Sequence, residues 1–327
     1  MNPAWFHQLL GSDVTPVIEN GVWRLHRADS DQFFADYLPR AFCKELEQAS
    51  AIGWRAAVEC GMKHLTPYVA DYTRDYFFES YRSDFVEELG IGPRTTVLDL
   101  GAGWGFASQR CLEKGAFVVS TETAAKRLEF CATRFAQQGF DHRWVGIELD
   151  ANRSFPFESA VFDAIIVSGL MEWLPCSAVG SPKQIQRKFV ERCFEVLKPK
   201  GRLYLAIENR YWGKYFLGAR DLHTLQRWTS ILPRRAARAY SILTSHEDYR
   251  AWCYSLCDYI RQFKDVGYKT LTVIYPEPDY VQPKRVQKLI AELPLEQPQP
   301  WKDAYSGKNA NRAASRFGRS FMFIATK

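Results

Sequence analysis

The nine residues Val97-Leu98-Asp99-Leu100-Gly101-Ala102-Gly103-Trp104-Gly105 restrict this chain more than any other segment. Residues 95–100 (TTVLDL) are a β-branched, apolar run that reads as a buried strand. A helical pattern extending to about Lys114 begins directly after the glycines. A strand that turns at once into a helix needs backbone of positive φ, which glycine supplies without steric cost. The free amides of the following helix then offer donors to an anionic group. A second strand, residues 116–121 (AFVVST), closes on Glu122, 17 residues after Gly105. An acid at that place accepts bonds from both ribose hydroxyls of an adenosine. The spacing is G-x-G-x-G, not the G-x-G-x-x-G of dinucleotide sites.

The rest of the chain is built around that turn. Ahead of Pro93 the pattern is aromatic and mostly helical. Residues 17–25 read as a small hairpin turning at Asn20-Gly21. Residues 33–59 read as helical, and the stretch 71–77 leads into another helix ending near Gly90. After Gly105 come a helix over 124–138, a strand over 143–149 and a strand over 162–168 (FDAIIVS). A helix over 183–197 stops before Pro199-Lys200-Gly201, and residues 202–207 (RLYLAI) form a fifth strand. Strands alternating with helices imply βαβ units and a mostly parallel sheet. Residues 208–252 break the rhythm and are too long for a simple connection. Residues 254–266 are helical again, and residues 269–275 (KTLTVIY) form a strand. Residues 276–317 are loop-like with one short helix, and residues 320–325 (SFMFIA) close the chain. The last two strands are expected to pair antiparallel at the sheet edge.

Composition narrows the function classes. The 43 basic and 37 acidic residues leave a net charge of +6, too mild for a nucleic-acid binder. No run of about 18 apolar residues is present, so no membrane span is expected. The start, MNPAWFHQLLGSD, lacks a basic segment followed by an apolar one, and a cytoplasmic protein is the expectation. The eight cysteines lack a clip spacing, so reduced thiols and no metal site are expected.

With its acid before the glycines and its acid closing the second strand, the chain resembles the class I S-adenosylmethionine-dependent methyltransferases. Phe162-Asp163-Ala164-Ile165-Ile166-Val167 is similar to that family's fourth strand, and Leu197-Lys198-Pro199-Lys200-Gly201-Arg202-Leu203 to its turn before strand five. The resemblance implies S-adenosylmethionine as cofactor. Gly101, Ala102, Gly103 and Gly105 would face the methionine part, and Asp99 would support that loop and the cofactor's amino group. Glu122 would bind the ribose, Asp150 and Ala151 would lie near adenine, and Ser168 would line the methionine end. The expected fold is α/β: a Rossmann-like, seven-stranded, mostly parallel sheet with helices on both faces. A helical N-terminal extension (1–92) precedes the methyltransferase domain (93–327). That domain carries insertions at 208–252, an acceptor cap after strand five, and at 276–317.

Two stretches stand where open α/β sheets bind their second ligand. They are Ser168-Gly169-Leu170-Met171-Glu172-Trp173-Leu174-Pro175, and Ile207-Glu208-Asn209-Arg210-Tyr211-Trp212 with Asp221 and His223 following. They resemble a bacterial methyltransferase subgroup associated with polysaccharide and glycoconjugate biosynthesis. That implies O-methylation of a sugar or similar acceptor. A small-molecule acceptor, or a non-catalytic cofactor-binding module, are the alternatives. His223 is the first candidate for a general base, against a structural role bridging the insertion to the core. Asp221 orients it or acts itself. Glu172 and Glu208 bind acceptor hydroxyls, or pair with Arg210 and Lys214. Arg210 and Arg220 meet an anionic group of the acceptor, or are solvated. Tyr72 approaches the sulfonium, or packs the extension on the sheet. Lys302, Lys308, Arg312, Arg316 and Arg319 touch an anionic surface weakly, or are plain solvated charge. The oligomeric state is left open.

Overall fold

A computed structural model describes residues 4–11, 17–25, 38–79, 81–298 and 310–327, without the side chains of residues 310–312. The chain forms two compact units, Met1–Ile166 with Val196–Lys198, and Val167–Glu195 with Pro199–Lys327.

The first unit begins with α1 (Ala4–His7) and the hairpin β1 (Val17–Glu19) and β2 (Val22–Arg24). The hairpin turns at Asn20 (φ 51°) and Gly21 (φ 78°), as its Asn-Gly pair predicts. The helical stretch expected over 33–59 lies outside the described residues at 33–37. From there on it is three helices, α2 (Arg40–Leu46), α3 (Ala49–Ile52) and α4 (Trp54–Met62), the last break falling at Gly53 (φ 91°). Next, α5 (Pro67–Phe78) opens with Pro67 in its first turn. The helix expected to reach Gly90 stops instead at Phe78, and 3₁₀ turns follow over Tyr81–Leu89. The Tyr81 hydroxyl donates to Asp75 Oδ2 at 2.9 Å, and the Arg82 guanidinium lies over the Tyr76 ring, folding the chain back on its own helix.

The glycine turn follows β3 (Thr96–Leu100) and opens α6 (Phe106–Glu113). Then come β4 (Phe117–Glu122), α7 (Ala125–Gln137), β5 (Trp144–Glu148) and β6 (Phe162–Ser168). The strand order in this unit is β1-β2-β5-β4-β3-β6. The β2–β5, β5–β4 and β4–β3 pairs are parallel. The hairpin therefore lengthens the sheet beyond the expected strands. It also accounts for the acid that interrupts the apolar pattern of β5. Arg24 stands in register with Glu148 and donates Nη1 to its Oε2 at 2.7 Å, so the buried carboxylate is paired. A core of Phe42, Leu46, Trp54, Val58, Met62 and Phe77 from the extension closes on Trp104 of the glycine turn and Phe130 of α7.

The second unit holds α8 (Pro182–Val196), β7 (Leu197–Glu208), α9 (Gly213–Phe216), α10 (Arg234–Ser245), α11 (Leu256–Val266), β8 (Thr270–Glu277), β9 (Arg285–Pro294), α12 (Ala310–Phe317) and β10 (Ser320–Thr326). Its strands run β7-β10-β8-β9, every pair antiparallel. β7 begins at Leu197, earlier than expected, and runs through the Pro-Lys-Gly turn, where Lys200 takes a left-handed φ of 67°. The region 276–317 departs from its loop-like reading. β9 pairs along β8 and lies outside it, so β8 is not the edge. Its side chains are mostly exposed, which hides a strand from an apolar pattern. All eight cysteines are free, and Cys176 is exposed. Among the described residues no helix is long and apolar enough to cross a membrane.

Candidate active site

In the first unit the glycine turn supplies a cradle of backbone. Gly101, Gly103 and Gly105 have φ of 70°, 55° and 80°. The amides of Gly101 and Ala102 both donate to Thr121 O at 2.9 Å, which ties the turn to the end of β4. A Cβ on Gly103 would stand 3.2 Å from the Tyr76 hydroxyl of α5. One on Gly105 would meet Phe135 Cζ at 2.8 Å and Cys131 Sγ at 2.9 Å, so that glycine serves packing as well as conformation. Tyr72, one turn earlier on α5 than Tyr76, is half-buried. The residue of that helix placed at the turn is Tyr76.

Glu122 ends β4 with its carboxylate 9% exposed. Its Oε2 accepts from Gly103 N at 3.1 Å and lies 3.5 Å from Arg127 Nη1. Its Oε1 accepts from Thr123 N at 2.8 Å and from Ala124 N at 3.3 Å. Arg127, in the first turn of α7, is a site neighbour that the sequence pattern did not single out. Asp150 and Ala151 follow β5 directly. Leu149 N donates to Glu122 O at 3.0 Å, which holds the ends of β4 and β5 together. Asp150 Oδ1 accepts from Asn152 N at 2.9 Å. Asp99 is buried beneath the turn and accepts from Ser108 Oγ at 2.6 Å. Burial pushes its carboxyl up to about 6, against the lowering effect of the Ser108 hydroxyl.

These features fit a nucleoside-bearing cofactor. The turn is bare of side chains where a ligand must touch backbone. The strand-end acid is buried but still bonded to exchangeable N–H donors. Two neighbouring strand ends are held in register beside it.

The second unit collects the remaining candidates. Ser168 closes β6, and Gly169 N donates to Ala206 O at 3.0 Å. Gln186 of α8 donates its Nε2 to Met171 O at 2.9 Å and to Trp252 O at 2.7 Å. Trp252 N in turn donates to Glu172 O at 3.1 Å. These bonds fasten the segment after β6 to the segment before α11. Glu208 ends β7, and its Oε1 accepts from the Tyr280 hydroxyl at 3.1 Å. His223 lies among the acids with its side chain 5% exposed. Its Nε2 is 3.5 Å from Glu208 Oε2 and 3.9 Å from Glu172 Oε1, and its Nδ1 is 3.7 Å from Asp221 Oδ1. The edge of the Trp173 ring covers it at 4.9 Å between centroids.

Asp221 is a loop anchor as well. It accepts from the amides of His223 and Thr224 at 2.9 Å and from the Ser230 hydroxyl. Arg210 gives Nε to Ser230 O at 2.8 Å and Nη2 to Leu232 O at 2.7 Å, so two of its donors hold the backbone of the 208–252 insertion. Asn209 donates to Arg316 O and Gly318 O and fixes the end of β7 to the start of β10. Of the basic run, Lys302, Lys308 and the side chain of Arg312 lie outside the described residues, and Arg319 pairs with Asp279.

The electrostatics of this cluster are those of acids crowded out of water. Burial first, then the neighbouring Glu208, push Glu172 up to about 7. Burial acts the same way on Glu208, but the imidazole outweighs it and the carboxyl ends below its ordinary value. Burial opposes charge on His223, yet the facing Cys253, Glu208, Asp221 and Glu172 raise it well above the usual histidine range. Cys253 is the member that sequence reasoning missed. It stands 30 residues beyond His223, and only the fold brings its sulfur within 4.8 Å of the imidazole and Glu208.

A family profile described as "Methyltransferase domain" matches residues 97–201. The ubiquinone biosynthesis O-methyltransferase of Idiomarina loihiensis is 29% identical over 124 residues, 37% of this chain and 46% of that protein. The one from Xylella fastidiosa is 30% identical over 139 residues, 42% and 51% of the two chains. An uncharacterized protein of Mycobacterium tuberculosis is 37% identical over 82 residues, 25% and 28%. The chain spans about half the length of the ubiquinone-pathway relatives it matches. Among solved structures, geranyl diphosphate C-methyltransferase from Streptomyces coelicolor aligns over 76% of this chain and 78% of its own, at 15% identity and a TM-score of 0.47. The glycine turn, Asp99, Glu122 and the Asp150-Ala151 pair all fall inside the matched stretch. Over residues 97–201 this chain matches a methyltransferase domain.

Proposed function

We propose that the chain is an S-adenosylmethionine-dependent methyltransferase acting on the oxygen of a small-molecule acceptor. The observation that carries the methyl-transfer reading is the buried Glu122 carboxylate, bonded to Gly103 N of the glycine turn. The small-molecule reading draws on the ubiquinone-pathway relatives, whose printed name specifies O-methylation. The sugar acceptor implied by the glycoconjugate subgroup has no such support and gives way to it.

When bound, S-adenosylmethionine would supply a methyl group on a sulfonium; in-line transfer to an acceptor oxygen would release S-adenosylhomocysteine, and the acceptor's proton would pass to Glu172. Glu122 binds the ribose hydroxyls, and Asp99 holds the turn and the cofactor's ammonium. Gly101, Ala102, Gly103 and Gly105 let the ligand reach backbone, while Asp150 and Ala151 border the base. Ser168 lines the methionine end. In the second unit, Glu172 and Glu208 orient the acceptor hydroxyl, with His223 fixed by Asp221. Tyr76 stands at the turn in the place expected of Tyr72, and Arg210 holds the backbone of the 208–252 insertion.

Glu122→Ala removes charge-assisted hydrogen bonds worth about 1.5–3 kcal/mol. Cofactor affinity measured by titration calorimetry should fall about 10- to 150-fold. Unchanged affinity would remove Glu122 from the site. For the acceptor, methyl-labelled S-adenosylmethionine is incubated with the protein and extract from a host lacking the gene. Label in small molecules supports the proposal. Label confined to carbohydrate would restore the glycan reading, and tight binding with no label at all would favour a non-catalytic module.

A further inference from the structure

We propose that Glu208, His223 and Cys253, with Glu172 beside them, form a binding site for a divalent transition-metal cation of the zinc or cobalt type. One donor atom from each of the first three lies within 4.8 Å of the others. Glu172 Oε1 stands outside that group, 3.9 Å from His223 Nε2, and is the candidate fourth donor. Ligands arranged tetrahedrally around a cation at about 2.1 Å stand about 3.4 Å apart, close to the 3.5 Å between Nε2 and Glu208 Oε2. The same separations are too long for good hydrogen bonds.

A second observation points to a missing partner. Among the described residues neither Glu172 oxygen has a hydrogen-bond partner, and neither does Glu208 Oε2. The Glu172 side chain is wholly buried. Unpaired buried carboxylate oxygens are expensive, and one imidazole cannot balance Glu172, Glu208 and Asp221 together. A divalent cation does so.

The surroundings match what metal ligands require. Tyr280 occupies the far oxygen of Glu208 and leaves Oε2 facing the imidazole. Asp221 Oδ1 stands 3.7 Å behind Nδ1, on the side of the imidazole away from the ligating nitrogen. Arg234 donates to Cys253 O and holds the cysteine's backbone. The mix of two oxygens, one nitrogen and one sulfur suits zinc, iron or cobalt, while magnesium and calcium prefer oxygen alone. Any acceptor hydroxyl that reached such a cation would have its pKa lowered.

The inference stands on side-chain geometry and is independent of the methyl-transfer reading, so its test contains no methyl transfer. The full chain is stripped with a chelator, checked by circular dichroism, and titrated with Co(II) and then Zn(II). One equivalent of cobalt should bind, with a thiolate-to-cobalt charge-transfer band in the near ultraviolet. Cys253→Ser, a near-isosteric change, should abolish that band. Asp221→Asn should weaken binding about 10- to 100-fold while leaving the band's position unchanged. No saturable binding by the folded, stripped chain would overturn the proposal, as would a charge-transfer band that survives Cys253→Ser.

Discussion

Asp99 shows how a single side chain can be set against stability for the sake of a ligand. Its carboxyl is buried under the glycine turn, with a pKa raised from 3.8 to about 6, chiefly by burial. The folded state therefore keeps a proton that the unfolded state releases. Stability from this group is full below about pH 4 and falls as pH rises through about 6, by about 3 kcal/mol in all. Asp99→Asn has no proton to lose and can still accept from Ser108. Its stability advantage over the natural chain should grow from near zero at about pH 4 to about 3 kcal/mol at about pH 7, read from urea melts. Parallel curves would mean that Asp99 is ionised without penalty. At this scale the geometry of the glycine turn was legible in advance, because Asp99, the three glycines and Glu122 lie within 24 residues of one another. Cys253 was not, because its neighbours are supplied by three distant segments. Arg127 was not, because an arginine in a helix's first turn looks like any solvated cation.

Among elements, the extension and the glycine turn are fastened together by one buried cation. Arg134 of α7 donates Nη1 to Trp104 O at 3.0 Å and Nη2 to Phe77 O at 3.3 Å, and lies over the Trp54 ring at 4.4 Å. Burial pulls its guanidinium down to about 10. Arg134→Leu strands two carbonyls and should cost about 3 kcal/mol. Amide exchange in α5 should accelerate more than in β3, because α5 loses the bond at its C-terminal end. Uniform acceleration across the unit would mean that the arginine merely fills space. Element types were mostly readable, since the alternation of apolar strands and helices has one natural solution. The exceptions share a cause. β9 has few buried side chains, β7 continues through a proline and glycine that signal a turn, and the 3₁₀ segment is held by side chains reaching back to α5. In each case hydrogen bonding, not the apolar pattern, sets the structure.

For the whole molecule, the groups proposed to bind the cofactor, Ser168 apart, belong to one unit and the crowded acids to the other. Ligands for each should therefore leave separate marks on hydrogen exchange. S-adenosylmethionine should slow exchange in residues 99–105 and 120–128. Cobalt should slow it in residues 206–209, 221–230 and 251–256. Protection spread evenly over both units by either ligand alone would contradict this assignment. The seven expected strands are all present, and the three additional ones, β1, β2 and β9, are short or mostly exposed.

The apolar closure over Trp104 bears on how this protein can be handled. A fragment cut to residues 97–201 would keep the motif but lose Phe42, Leu46, Trp54, Val58 and Phe77. The rings of Trp104 and Phe130, 3% and 4% exposed in the intact chain, would then face water. The segment recognisable by its sequence is thus smaller than the segment that keeps these rings covered. Expression trials of the excised piece should give inclusion bodies, whereas trials retaining residues 38–92 keep those two rings covered.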